Sequence, residues 1–290
     1  MRSVAAADQK RLFSSDDIER ILGQIIQNIT TQEKINNALV SRLLALEKQQ
    51  SQNLSHSSHR EQTSADEGEA AHSRRTFSIE AEDLLVERIF YSLLERDQNY
   101  VGFYVDIGAF DPITCSNTWL FYQRGWRGLT IEANPERVNR FRALRSRDIH
   151  VNAAVGAERL DRYVQFSDSL LNGFLTDDVI ALHRANGFAV VRSDMVSIRP
   201  IELLLCEHMP SGTPIDYLNI DVELMEDEIL STWDFSRWMP RIIAIEIHGG
   251  LDVTDIAATQ VARLLANRGY VFFSRLWHSS IFVQRAGILT

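Results

Sequence analysis

The sequence predicts an α/β domain built on a parallel sheet, and three sets of residues predict it. Tyr104 to Pro112, YVDIGAFDP, reads as an apolar strand that ends in Asp106 and breaks into a small-residue turn. About 26 residues after Asp106, GLTIEANP reads as a second apolar strand. It ends in Glu132 and gives way to Asn134-Pro135, a helix start. Farther on, IDYLNIDVE and RIIAIEIHGG place two more strands, at Ile215–Ile220 and Arg241–Ile247. In open α/β sheets a ligand lies in the crevice beyond the carboxyl ends of the strands. Asp106 and Glu132, and then Asp221, Glu223, Glu246 and His248, all fall at such ends.

The first two strands and their connection form one βαβ unit. Gly108 and Ala109 let the backbone approach a ligand closely, and Glu132 is placed to accept both hydroxyls of a ribose. Between the strands, residues 116–128 (SNTWLFYQRGWRG) supply Trp119, Leu120 and Tyr122 to cover the sheet, and Gly125 to end the helix. A plain α/β layer with Glu132 in a surface salt bridge is the competing reading.

Before this unit the chain divides into three parts. Ser14 and Asp17 stand in capping-box spacing. Ile18, Leu22, Ile25, Ile29, Gln32, Asn36, Leu39, Leu43 and Leu46 then alternate by four and three, the seam of a coiled coil. Residues 1–50 are therefore expected to be an oligomerising helix, with a single amphipathic helix as the alternative. Residues 51–78 shift to Ser, Gln, Glu and His with little to bury, the composition of a flexible linker. The globular domain is expected from residue 79 to residue 290. It starts with a helix carrying Leu84, Leu85, Ile89, Phe90, Leu93 and Leu94 at helical spacing.

After Pro135 a helix runs to about Ser146, and its Arg137, Arg140, Arg142 and Arg145 read as a solvated face. Ile149 to Gly156 is the third strand with its turn, and an Asn side chain holding that turn is one reading of Asn152. Residues 161–200 alternate weakly and read as an insertion beside an acceptor pocket. At the end of the chain, Tyr270–Phe273 and Ile281–Val283 suggest a closing hairpin, with Trp277 and His278 in its loop covering the sheet edge.

Charge and composition narrow the function. A net charge of −9 argues against non-specific nucleic-acid binding, which depends on cationic contacts to phosphate. MRSVAAADQKRLF lacks the apolar core of a secretory signal, and no stretch approaches the ~18 apolar residues of a membrane span. Cys115 and Cys206 make no disulfide framework and no metal-binding spacing. A cytoplasmic protein is expected.

Five ordered motifs, DIGAFDP, SNTWLFYQRGWRGLTIEANP, VNAAVG, IDYLNIDVE and AIEIHG, resemble the FkbM family of S-adenosylmethionine-dependent O-methyltransferases over residues 79–290. The resemblance implies a Rossmann-like class I methyltransferase fold, a mostly parallel seven-stranded sheet with a C-terminal antiparallel hairpin. It implies S-adenosylmethionine as cofactor, held by Asp106, Gly108, Ala109, Glu132, Asn134, Asn152, Ala153 and Asp221. It also implies a hydroxyl acceptor on a sugar, a glycan or a secondary metabolite. Asp168 and Ser169 resemble a polar pair of the family. Two positions depart from the pattern: Phe110 and Asp111 stand where a second Gly is usual, and Leu224 replaces the Gly after DVE.

Methyl transfer to a hydroxyl needs alignment and proton removal. His248 is the expected base because an imidazole titrates near neutrality, with Asp221 as the alternative. If a divalent cation, Mg²⁺ or Mn²⁺, takes part, Asp221, Glu223 and Glu246 are the oxygen ligands available. Two other readings follow from the same residues. One is a degenerate domain serving as an oligomeric scaffold, and the other a nicotinamide-dependent oxidoreductase, opposed by the missing GxGxxG.

Overall fold

The computed structural model describes residues 74–95, 97–167, 172–222, 225–247 and 253–288. The predicted seam from Ile18 to Leu46 lies outside the described residues, as do Asp168, Ser169, Glu223, Leu224 and His248.

The first half of the domain runs α1 (Glu82–Ile89), a π-helical turn at Phe90–Leu94, β1 (Phe103–Ile107), α2 (Trp119–Gln123), β2 (Arg127–Glu132), α3 (Pro135–Leu144) and β3 (Ile149–Asn152). An excursion follows: β4 (Ala154–Val155), β5 (Arg159–Phe166), β6 (Asn172–Gly173), α4 (Asp177–Ala185) and β7 (Val190–Arg199). The chain returns through α5 (Ile201–His208), β8 (Tyr217–Ile220), α6 (Glu226–Thr232), β9 (Ile242–Glu246), α7 (Val253–Ala258) and α8 (Gln260–Asn267). It closes with β10 (Tyr270–Arg275), β11 (Ser279–Gln284) and a short helix, α9 (Arg285–Ile288).

Seven strands form the main sheet in the order β10-β11-β9-β8-β1-β2-β3. Every pairing is parallel except those made by β11, which runs antiparallel to both of its neighbours. The strand order reverses at β1, which pairs with β2 on one side and β8 on the other. A reversal of this kind opens a crevice at the carboxyl ends of those strands.

Both faces of the sheet are covered, so its central strands read as continuous apolar runs instead of alternating ones. Phe103, Val105, Ile107, Leu129, Ile131, Leu218, Ile220, Ile243 and Ile245 pack with Leu204 and Leu205 of α5, Ile229 of α6 and Leu265 of α8. On the opposite face Tyr104, Tyr217, Ile242 and Ala244 pack with Val86, Ile89 and Phe90, with Phe121 of α2 and with Trp126. The buried Trp126 indole donates to the Tyr91 hydroxyl at 2.9 Å, which donates in turn to the Tyr100 carbonyl. The residue of α2 that is fully buried is Phe121, while Leu120 is only partly covered.

The excursion builds a separate four-stranded sheet, ordered β4-β7-β5-β6. Its long pair, β5 and β7, is antiparallel from Arg159 opposite Ile198 to Phe166 opposite Val190. The sequence shows only weak alternation here because the two faces are not sorted by polarity. Leu160 and Met195 are 65% and 59% exposed, whereas the polar Tyr163 is buried.

A buried polar layer sits between the main sheet and α2. The Tyr104 hydroxyl donates to Asp148 Oδ2 at 2.5 Å, and the Gly128 amide donates to Asp148 Oδ1 at 2.8 Å. Arg145, at the end of α3, is 0% exposed. Its guanidinium donates to the Pro112 carbonyl at 2.7 Å, Thr118 Oγ1 at 2.8 Å and Ser116 Oγ at 2.6 Å, and lies 3.8 Å from Asp148 Oδ2. The expectation of a solvated arginine face on α3 is corrected here. Arg140 and Arg142 are exposed, but Arg137 and Arg145 are buried. The partners that accept from Arg145 come from the loop after β1, roughly thirty residues earlier, so helical spacing could not reveal them.

Burial pushes the Asp148 carboxyl up to about 6, against the opposing pull of the Tyr104 hydrogen bond and the Arg145 charge. The folded state therefore holds this proton more tightly than an unfolded Asp, whose ordinary value is about 3.9. Its contribution to stability falls as pH rises from about 4 to 6 and is flat above that window. Asp148→Asn removes the titration. The melting temperature of the variant minus that of the native chain is expected to rise between pH 4 and 7 and then level off. A difference independent of pH, measured by thermal denaturation across that range, would show that Asp148 does not titrate as its burial requires.

Candidate active site

The crevice begins where β1 ends. Gly108 has φ +80°, and its amide donates to the Ile131 carbonyl at 2.9 Å. The Asp221 amide donates to the Ile107 carbonyl at 3.0 Å, which brings the ends of β8 and β1 side by side. A Cβ at position 108 would lie 1.7 Å from the Asp221 carbonyl oxygen. Only glycine satisfies both the dihedral and the approach.

Phe110 follows with φ +55°, so it keeps a left-handed backbone without being Gly. A bulky residue holds that conformation only where its surroundings over-determine it. Here its amide donates to Glu132 Oε2 at 3.0 Å, and the Arg137 guanidinium sits 4.0 Å from the centre of its ring. Asp111 Oδ1 accepts from the Ile113 and Thr114 amides, both at 3.0 Å, and Asp111 Oδ2 pairs with Arg140 at 2.5 Å.

Glu132, at the end of β2, is 5% exposed. Oε1 accepts from the Asn134 amide at 2.7 Å, and Arg137 lies 3.9 Å away. Burial raises its pKa, with Arg137 and the two amides acting in the opposite direction. Asp106 is buried on the α1 side of the sheet. It accepts from Thr118 Oγ1 at 2.6 Å and from Asn219 Nδ2 at 3.0 Å, and burial raises its pKa as well.

The two candidate asparagines work on the scaffold. Asn134 caps α3 by accepting from the Glu136 amide at 2.9 Å, donates to Gln165 on β5 and accepts from Arg192 on β7. Asn152 donates from Nδ2 to the Glu132 and Ala133 carbonyls, both at 2.9 Å, so the turn reading describes it well. Ala153 is buried, and its amide donates to the Glu132 carbonyl at 3.2 Å.

Glu246 closes β9 on the face shared with Ala244, opposite Ser279 of β11. Arg275 at the end of β10 lies within the field of Glu246 and Glu80. Among the described residues no group of three His, Cys, Asp or Glu could hold a metal ion.

The structure adds acidic residues that the sequence reading passed over. Asp83 accepts from Thr76 Oγ1 at 2.6 Å, the Phe77 amide at 2.8 Å and Ser78 Oγ at 2.9 Å. Glu82 accepts from Ser279 Oγ at 2.7 Å. Burial pushes the Tyr217 hydroxyl well above its usual range, and the neighbouring carboxylates of Asp106, Glu82, Asp83 and Asp221 push it the same way. In the sequence, Glu82 and Asp83 are indistinguishable from the acids that favour any helix start.

A family model described as the Methyltransferase FkbM domain matches residues 106–272. The chain belongs to the FkbM methyltransferase family. The matched span of this FkbM domain opens on Asp106 in β1 and ends at Phe272 in β10, so it includes the ends of β1, β2, β8 and β9. Among solved structures, a methyltransferase FkbM from Methylobacillus flagellatus KT aligns at 17% identity with a TM-score of 0.37, covering 68% of this chain and 47% of that chain. The chain thus spans about half the length of that protein. No curated protein matches it.

Gly108→Ala tests the junction of β1 and β8. The forced dihedral and the overlap with Asp221 should together cost on the order of 3 kcal/mol or more, a drop of roughly 10 °C in melting temperature. An unchanged melting temperature would mean that the two strand ends are not clamped together at Gly108.

Proposed function

We propose that this FkbM domain is an S-adenosylmethionine-dependent O-methyltransferase that acts on a hydroxyl of a sugar, a glycan or a secondary metabolite. The observation that carries the reading is the Glu132 carboxylate at the end of β2, beside the Gly108 turn at the point where strand order reverses. A carboxylate offers about four acceptor positions, and the Phe110 and Asn134 amides use two. The remaining two suit a pair of ribose hydroxyls, so the donor set fits the cofactor. The backbone at Phe110 supports the same reading, because the departure from Gly keeps the turn a Gly would make. The seventh strand, antiparallel between β9 and β10, separates this sheet from the fully parallel sheets typical of nicotinamide-binding domains.

When bound, S-adenosylmethionine supplies an electrophilic methyl group on a sulfonium. The chain's task is to orient the acceptor and take its proton. Gly108 and Ala109 let the backbone approach the cofactor, and Glu132 fixes the ribose. Asp106, tied to Thr118 and Asn219, holds the ends of β1 and β8 in register beneath it. His248, in the segment after β9, is the proposed base and Asp221 the alternative. Should Mg²⁺ or Mn²⁺ assist, Asp221, Glu223 and Glu246 are the proposed ligands.

The proposed organisation has an oligomerising helix at 1–50, a linker at 51–78 and the methyltransferase domain at 79–290. A homo-oligomer is proposed from that helix, and the cytoplasm is proposed as its location. Among the described residues no helix is long and apolar enough to cross a membrane.

Two variants separate binding from chemistry. Glu132→Gln should weaken S-adenosylmethionine at least tenfold in calorimetry, since hydrogen bonds to a charged acceptor are worth roughly 1.5–3 kcal/mol each. His248→Ala should leave that affinity intact and cut turnover by ~10²–10⁴. Native protein that binds neither S-adenosylmethionine nor NAD would favour the scaffold reading, and binding of NAD alone the oxidoreductase. Assembly is tested by deleting residues 1–76. Light scattering should show fewer subunits per particle while cofactor binding persists, and an unchanged subunit number would remove the coiled coil from the proposal.

A further inference from the structure

The second sheet leaves one long edge without a strand beside it. β7 pairs with β5 from Val190 to Ile198, but on its other side it meets β4 only at Ile198 and Arg199. From Val190 to Ser197 no described strand lies on that side. An unpaired edge presents a row of N–H and C=O groups that template the addition of another strand. Val191, Ser193, Asp194, Met195 and Ser197 are all exposed, so among the described residues this stretch is open to solvent. Val191, the extra residue of a bulge in the pairing with β5, is 60% exposed, and Met195 is 59% exposed.

The order of side chains along this edge decides which strand suits it. Two identical strands that pair antiparallel about Ser193 set Arg192 opposite the partner's Asp194 and Val191 opposite the partner's Met195. Each match occurs twice, once on either side of the axis, and opposite charges directly across a strand pair stabilise it. Arg192 and Asp194 already share one face of β7, where Arg192 Nε donates to Asp194 Oδ2 at 2.5 Å. Two such pairs side by side make a ring of alternating charge. Arg192 also donates to Asn134 Oδ1 at 3.0 Å, which holds its guanidinium in place before any partner arrives and so reduces the freedom lost on pairing. Charges on an edge ordinarily keep strands apart. Here they select one partner, because an Arg two places before an Asp meets the opposite sign in a copy of itself running the other way. On the opposite face of the sheet Leu160, across from Ser197 on β5, is 65% exposed and shares the side of Met195, so pairing carries an apolar stripe across the joint. The outer strand of the main sheet offers no such pattern: the one charged residue of β10, Arg275, turns back to the Ile247 and His278 carbonyls.

We propose that the free edge of β7 is a dimerisation edge, on which a second copy of this chain pairs antiparallel about Ser193 and joins the two second sheets into one, ordered β6-β5-β7-β7-β5-β6. The same edge serves both copies, so the contact is isologous and closes at two. It is distinct from the helix at 1–50 and does not require the methyltransferase reading. Through Arg192 and Asn134 the joint lies one side chain away from the turn that ends β2.

The test uses the full chain. Ser193→Cys puts a thiol on the axis, where the Cβ of the facing copy lies about 4.5–5.5 Å away and within reach of a disulfide. Mild oxidation should link Ser193→Cys chains in pairs on a non-reducing gel. Ser197→Cys, which faces the partner's Ala189, and the native chain with Cys115 and Cys206 should not link under the same conditions. Arg192→Glu and Asp194→Arg each set like charges across the joint. In a light-scattering dilution series each should weaken the contact at least tenfold and halve the number of subunits per particle. An equimolar mixture of the two variants should recover the native subunit number, because both cross-strand pairs then join opposite charges. That recovery also shows that both variants fold, and where one does not fold the cross-link decides alone. The proposal is overturned if the native chain is a monomer, if Ser193→Cys links no faster than Ser197→Cys, or if either folded charge variant keeps the native subunit number. A mixture that stays dissociated, with both variants melting as the native chain does, overturns it as well.

Discussion

The Arg145 guanidinium is fully buried, and the crevice depends on what it binds. It holds the Pro112 carbonyl, Ser116 and Thr118, which shapes the loop leaving β1, and it stands beside Asp148, which receives Tyr104 and Gly128 from β1 and β2. Thr118 passes the connection on to Asp106, and Asn219 extends it to β8. A buried charge is tolerated only when its donors are satisfied, and removing one partner of such a network typically costs ~3–5 kcal/mol. The loop that carries Gly108 and Phe110 is therefore fixed by a cation lying behind the sheet.

The same layer sets the state of a half-buried imidazole beside it, that of His150. Nε2 lies 2.9 Å from the Arg145 carbonyl, which can only accept, so Nε2 carries the proton and Nδ1 takes the Thr130 hydroxyl at 2.8 Å. Burial lowers the pKa of this imidazole, which keeps a second positive charge away from Arg145. Two histidines in one domain thus have opposite tautomers, each dictated by an oxygen that cannot donate: a carbonyl for His150 and the Glu80 carboxylate for His278.

The acids of the crevice divide by what they face. Asp106 accepts from Thr118 and Asn219, which positions strand ends, while Glu132 spends two acceptor positions on the Phe110 and Asn134 amides and so shapes a turn. Glu80, Glu82 and Asp83 tie the segment before α1 to the closing hairpin and to residues 76–78. The crevice is consequently walled on one side by the β1 and β2 turns and on the other by the β10–β11 turn. The second sheet joins the first wall through Asn134, which meets both Gln165 and Arg192.

The sequence by itself determined the strands of the main sheet, the acidic residues at their ends and the closing hairpin. Strands buried on both faces are mainly apolar, and that pattern is written locally in YVDIG, GLTIE, DYLNI and RIIAIE. Gly108 was legible for the same reason, since a strand-ending turn that meets a neighbouring backbone admits little else. Tertiary structure alone decided the rest. Arg145 looks like any helix arginine until loop residues about thirty positions earlier arrive as acceptors, and Glu80 looks like a helix-start acid until His278, 198 residues away, supplies its donor. Asn134 and Asn152 are ambiguous from spacing and become a cap and a turn clasp only when β2, β5 and β7 surround them. Local pattern records burial, which each residue experiences alone; it does not record partners, which the fold brings from elsewhere in the chain.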